Sequence, residues 1–124
     1  MFDAIVGNED YAATFAELAG VSPPAGSDGQ SMVPMLRTKT TPVGWESEEL
    51  LRSANATNDP AQPPDAWAIR TPGYLYAETT STGEVELYDL AADPYQLQNV
   101  AADPLYLDER IELQDRLAAL KARP

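Results

Sequence analysis

Cysteine and histidine are both absent from the 124 residues, and each absence removes a class of chemistry. Without a thiol there is no cysteine nucleophile, no disulfide and no thiolate for a zinc finger. Without an imidazole there is no Ser-His-Asp triad and no histidine acid or base. Basic residues are scarce as well, with 8 Lys and Arg against 20 Asp and Glu and a net charge of −12. That field repels polyanions, so nucleic acid and anionic membrane are poor partners. No segment approaches the roughly 20 apolar residues of a membrane span. Met1-Phe2-Asp3 also lacks the basic start and apolar stretch of a signal peptide. The compartment stays open, because a chain without cysteine is tolerated in oxidising and reducing surroundings alike. What is present is 44% hydrophobic residues, enough for the modest core of one small domain or of a piece of a larger one.

The order of patterns along the chain predicts an α+β fold. Asp10 to Ala19 reads as a helix, with Tyr11, Phe15, Leu18 and Ala19 spaced to form one buried face, Asn8 or Asp10 as cap and Gly20 as stop. Two prolines then force a loop, and Asp28-Gly29 suits a tight turn with a positive φ. Ser31 can cap a short second helix that carries Pro34 in its first turn. One short strand is expected near residues 48–54. AWAIRT, YLYAET and EVELYDL then read as an antiparallel meander, broken at Pro72-Gly73 and at Ser81-Thr82-Gly83. In its last segment Val85 and Leu87 share one face, and Glu84, Glu86 and Tyr88 the other. Asp93-Pro94 and Asp103-Pro104 each set a capping carboxylate before a proline, which predicts a short helix and then a long one. In the long helix Leu113, Leu117 and Leu120 form a stripe, flanked by Leu107 and Ile111, and Lys121 and Arg123 complement the dipole at its end.

Chemistry-bearing side chains have simpler structural explanations at every position. A carboxylate pair for glycosidase-like acid and base work has candidates in Glu46, Glu48, Glu49, Glu84 and Glu86. Nothing in the sequence marks the apolar pocket that would raise one pKa, and chance proximity accounts for such neighbours more simply. Asp89, Asp93 and Asp103 are oxygen donors, but the calcium-loop pattern is absent and turn capping explains them. Trp67, Tyr74, Tyr76 and Tyr88 could line a ligand surface, yet aromatics at alternating meander positions usually pack the sheet. Asn55-Ala56-Thr57 fits a glycosylation sequon of a length that chance readily supplies. Arg70 is the only base between Arg52 and Arg110, and pairing with a neighbouring carboxylate is its expected role.

The motif order is more specific than any single motif. Asn8-x-Asp10, AATFAELAGV, Pro23 and DGQSMVPML resemble a sulfatase stretch written N-x-D-x-A-P-T-x-x-x-L-A-G-V and D-G-x-S-x-x-P-x-L. AIRT, YLY and ELYDLAADPYQLQNVAADP resemble the closing A-I-R-T, Y-K-Y and E-L-Y-D-L-x-x-D-P-x-E-x-x-N-L-A of the same family. The chain is thereby similar to the C-terminal portion of the formylglycine-dependent, arylsulfatase-like hydrolases of the alkaline phosphatase superfamily. Ala13, Trp67, Leu75 and Gln96 depart from the family pattern, where proline, a basic residue, lysine and glutamate are usual.

The resemblance implies a division of the chain. Residues 1–44 would be the end of an α/β catalytic domain, leaving one or two helices. Residues 45–124 would be a C-terminal subdomain, a sheet of about four antiparallel strands packed by the terminal helix, beside the active-site mouth. It also implies a sulfuric ester hydrolase using formylglycine, made from the Cys or Ser of C/S-x-P-x-R, and a divalent cation, calcium or magnesium. This chain has no cysteine, and its nearest serine phrase, Ser31 to Arg37, is spaced S-x-x-P-x-x-R. No catalytic, cofactor-binding or metal-binding residue is therefore assigned to it, and it is expected to be inactive alone. The implied partner is the missing N-terminal sulfatase domain or a second copy, since the face of the first helix would be left without the sheet it packs on. Family members are often exported. The alternative is a free-standing acidic interaction module derived from such an enzyme, binding through the sheet edge or the first helix.

Overall fold

The computed structural model describes residues 4–55, 59 and 61–122. Met1-Phe2-Asp3, the Ala56 and Thr57 of the sequon, and Arg123 lie outside the described residues. The chain forms two compact units, residues 1–49 and 50–124.

In the first unit, α1 spans Asp10–Ala19 and α2 spans Val33–Thr38. Gly20 ends α1 in the left-handed conformation at φ 71°, where its amide and that of Val21 recover the last-turn carbonyls of Glu17 and Ala16. Pro34 sits in the first turn of α2, and Ser31 Oγ accepts the Val33 amide at 3.2 Å. Two expectations change here. The inward side of α1 carries Asp10, Ala13, Thr14 and Ala16, whereas Tyr11, Phe15 and Leu18 are exposed. Gly29 does not have a positive φ; it is needed because a Cβ there would run into the Glu9 carbonyl and the Asp10 amide. The space is short because α1 is tied to this loop from both sides. Asp10 Oδ1 accepts the Gln30 amide at 2.7 Å, and Thr14 Oγ1 accepts the Met32 amide at 2.9 Å. Asp10 therefore does not cap its own helix, since its other oxygen turns back to the Gly7 amide at 2.9 Å.

The second unit is an α+β fold, a four-stranded sheet in the order β1-β2-β3-β4 with one long helix on it. The strands are Glu49–Ser53, Ala66–Arg70, Tyr74–Thr79 and Val85–Asp89, and β2-β3 and β3-β4 pair antiparallel. Their register sets Ile69 opposite Tyr76 and Tyr76 opposite Leu87. This row is fully buried under Leu113, Leu117 and Leu120 of α3, Leu107–Lys121. Burial of each such leucine contributes about 1.5–3 kcal/mol. Leu107 and Ile111, beside the stripe, are nearly half exposed.

The two Asp-Pro steps behave differently. Asp103 Oδ1 accepts the Leu105 amide at 2.9 Å and opens a 3-10 turn, Pro104–Tyr106, that runs into α3. After Asp93-Pro94 the expected short helix does not form. The Asp93 carboxylate instead takes the Leu97 and Gln98 amides, at 2.6 and 2.8 Å, and Gln96 is left-handed at φ 57°. A carboxylate serving amides four and five residues ahead closes a loop, which a helix cannot share. That loop delivers Asn99 to the free edge of β4. Asn99 accepts from the Leu87 and Ala101 amides and donates to the Val85 carbonyl at 3.1 Å, covering an edge that would otherwise be open to pairing.

Candidate functional site

The densest gathering of chemistry lies in the first unit, where Glu9, Asp10, Asp28, Glu46, Glu48 and Glu49 line one cavity with Ile5, Gln30 and Trp45. Trp45 closes one side by donating Nε1–H to the Ile5 carbonyl at 2.8 Å. Gly7 lets two carboxylates meet: a methyl group there would lie 2.5 Å from Glu9 Oε1 and 2.6 Å from Glu49 Oε1. Desolvation, then the charges of Glu9 and Asp10 and a hydrogen bond with Glu9, push the Glu49 carboxyl up to about 7. A Glu49 carboxyl that keeps its proton toward neutral pH can donate to the Glu9 carboxylate. Sequence had offered Glu49 among the acid candidates but gave no reason to single it out, and Glu9 was not among them. Their meeting depends on Gly7 and on a loop closure that no periodicity records.

What this cavity can do is limited by size. It encloses about 10 Å³, close to the lower limit for a single water, and a sugar ring or an ester cannot enter. Among the described residues no group of three or more acidic side chains is arranged to hold a metal ion. Ser31 is engaged with the Val33 amide at the start of α2. Among the described residues, neither Ser31 nor the carboxylates of this cavity is arranged to carry a formylglycine or to hold a catalytic cation.

The remaining sequence candidates sit on the second unit in structural roles. Glu86 accepts the Tyr88 hydroxyl at 2.9 Å, two places along β4, and Glu84 is exposed. Asp89 Oδ1 takes the Ala91 and Ala92 amides and Oδ2 the Tyr106 hydroxyl, while Asp93 and Asp103 serve the turns described above. Tyr74 and Tyr76 pack in the core. Trp67 is flanked by cations, with the Arg52 guanidinium 4.7 Å and the Lys121 ammonium 5.6 Å from its ring centre, and Lys121 also lies 3.8 Å from Glu78. Arg70 is exposed and, among the described residues, has no carboxylate partner; Leu75 stands opposite it on β3. An open groove of about 390 Å³ is lined by Asn55, Asp59, Gln62, Pro64, Asp65, Thr80 and Ser81. No helix among the described residues is long and apolar enough to cross a membrane.

Known proteins share this arrangement along nearly the whole chain. The family described as N-sulphoglucosamine sulphohydrolase, C-terminal, matches residues 1–123. An N-acetylglucosamine-6-O-sulfatase of Bacteroides thetaiotaomicron is 29% identical over 116 residues, covering 92% of this chain and 21% of the relative. A structure solved in complex with its substrate D-glucosamine-2-N,6-O-disulfate superposes with a TM-score of 0.81 at 26% identity, over 90% of this chain and 23% of that one. The phosphonate monoester hydrolase of Agrobacterium radiobacter superposes with a TM-score of 0.70 at 28% identity, over 91% and 24%. The chain spans about a fifth of the length of the curated relatives it matches.

Proposed function

The chain belongs to the N-sulphoglucosamine sulphohydrolase C-terminal family, the C-terminal domain of sulfatases of the alkaline phosphatase superfamily, and from this we propose that it is the non-catalytic closing segment of a sulfuric ester hydrolase. The observation that carries the reading is the superposition of 90% of this chain on 23% of a sugar-sulfate-binding relative. In this reading residues 1–44 end the catalytic domain, residues 45–124 form the subdomain, and the partner is the catalytic portion that precedes residue 1. The formylglycine and the cation belong to that portion and supply the nucleophile and the charge stabilisation there. This chain's own residues complete the fold and border the substrate entrance. The polar lining of the 390 Å³ groove, with the Gln62 amide and the Thr80 and Ser81 hydroxyls, suits contact with sugar hydroxyls and supports that role. The free-standing interaction module is disfavoured, because residues 1–123 match the C-terminal domain of a family whose curated relatives are sulfatases of which this chain covers about a fifth.

A phosphonate monoester is the second substrate reading, favoured by the 28% identity with the Agrobacterium enzyme. The test is to express these residues together with the reading frame that precedes them. The expected product carries C/S-x-P-x-R upstream and turns over an aryl sulfate faster than a phenyl phosphonate monoester. The opposite preference supports the second reading, and a preceding frame without the motif contradicts both.

A further inference from the structure

Three hydrogen-bond donors from three different elements meet at one corner of the second unit. The Arg52 guanidinium of β1 lies 4.7 Å from the centre of the Trp67 ring on β2, and the ammonium of Lys121, the last residue of α3, lies 5.6 Å from the same ring. Trp67 packs against the core with part of its surface left in solvent. The ring attracts both cations, and its indole N–H adds a donor of its own. Among the described residues none of the three groups finds a hydrogen-bond acceptor. Trp45 gives its Nε1–H to the Ile5 carbonyl, but the Trp67 Nε1–H has no such partner, and neither does the Arg52 guanidinium. Glu78 Oε2 stands 3.8 Å from Lys121, outside hydrogen-bond reach, and the other oxygen of that carboxylate takes the Tyr76 hydroxyl at 2.9 Å.

Charge balance makes this corner unusual for the chain. With 20 acidic side chains to 8 basic ones, a cation is readily paired, as Arg116 is with Glu112 one turn away at 3.2 Å. Here two cations face one carboxylate that is already half engaged, which leaves a local positive charge within a negative molecule. The unmet requirement is for negatively charged acceptor oxygens that several donors can reach at once. A carboxylate is flat and offers two oxygens, whereas a tetrahedral oxyanion presents oxygens in several directions and suits donors arriving from β1, β2 and α3. The overall charge of −12 disfavours an extended polyanion, so the ligand is a single charged group.

We propose that Arg52, Trp67 and Lys121 form a binding site for a single tetrahedral oxyanion, either as the free ion or as the same group carried on an ester. Arg52 and Lys121 supply charge-assisted hydrogen bonds, and the indole N–H supplies a third, directional one. Glu78 works against the ligand by competing for Lys121, which keeps the expected affinity in the millimolar range. The site does not depend on the chain being a sulfatase segment.

The test is a sulfate titration of the isotope-labelled 124-residue chain followed by nuclear magnetic resonance, with sodium chloride holding the ionic strength fixed. Sulfate is the probe because its charge is constant near neutral pH. The indole N–H resonance of Trp67, one of two tryptophans in the chain, is assigned by its loss in Trp67→Phe and is expected to shift and saturate at millimolar sulfate. Arg52→Gln and Lys121→Gln should each raise the half-saturating concentration at least about fivefold. Glu78→Gln, which removes the competing charge and keeps an acceptor for Tyr76, should lower it about twofold or more. Cations that served only to pack the ring would give no such opposite responses. Equal shifts with sulfate and with chloride overturn the site, as does a saturable sulfate shift that neither Arg52→Gln nor Lys121→Gln weakens. If a variant fails to fold, the parent titration decides alone, and the lack of a saturable shift overturns the site. Methyl sulfate is titrated in parallel. Saturation at comparable concentrations identifies the ester-borne group as a ligand, a response to inorganic sulfate alone identifies the free ion, and either supports the site.

Discussion

Replacing Glu49 by glutamine should convert a pH-dependent weakness of the first unit into a pH-independent contact. The Glu49 carboxyl is pushed from its ordinary 4.5 to about 7, first by desolvation and then by Glu9 and Asp10. Below pH 4.5 it is protonated whether the unit is folded or not, and its contribution is fully present. Between 4.5 and 7 the unfolded chain releases the proton while the folded one keeps it, so stability falls as pH rises and levels off above 7. At about 1.4 kcal/mol per pH unit the separation sets an upper limit of about 3 kcal/mol, and solvent screening of a half-buried group reduces it to about 1–2 kcal/mol. Glutamine can donate to Glu9 as the protonated acid does, but cannot ionise. Trp45, held on Ile5, reports this unit by fluorescence, and Trp67→Phe removes the signal of the other. Denaturant unfolding at pH 4.5, 6 and 8 should give a gap between Glu49→Gln and the parent that widens by about 1–2 kcal/mol across the range. A gap of constant size would refute the retention of a proton on Glu49.

Three further substitutions test the packing that holds the rest. Leu117→Ala leaves a cavity beneath the row of Ile69, Tyr76 and Leu87 and should cost about 2–5 kcal/mol, read as loss of the second unit's cooperative transition by circular dichroism. Gly29→Ala drives a methyl group into the Glu9 and Asp10 backbone, which cannot retreat as a side-chain end would; a loss above about 2 kcal/mol in the Trp45-monitored transition is expected. Asn99→Ala strips two hydrogen bonds from the β4 edge and a third from the Ala101 amide, and about 1–3 kcal/mol should be lost, with faster hydrogen exchange at the Leu87 and Ala101 amides.

Most of the second unit was legible because its core positions repeat with the period of their elements. Val85 and Leu87 alternate with Glu86 and Tyr88, and Leu113, Leu117 and Leu120 recur at helical spacing; local chemistry alone specified these faces. α1 shows where that logic stops. Its large apolar residues have helical spacing too, but spacing identifies a face to be covered and does not say whether this chain supplies the cover. Asp93 and Gly29 were misread for a related reason. A carboxylate before proline caps a helix or closes a loop with equal local propensity, and the left-handed Gln96 decides between them. Gly29 is required by the approach of the Glu9 carbonyl from a segment about 20 residues away, a constraint absent from any local pattern. The Glu9 and Glu49 pair was invisible for the same reason, since 40 residues of loop and helix separate its members.

The central claim is that this chain closes a sulfatase and supplies none of its catalytic groups. The most direct measurement is hydrolysis of an aryl sulfate by purified residues 1–124 with calcium or magnesium. The account predicts no turnover above the protein-free rate. Reproducible turnover by the chain alone, abolished by changing a single carboxylate such as Glu49→Gln, would contradict it.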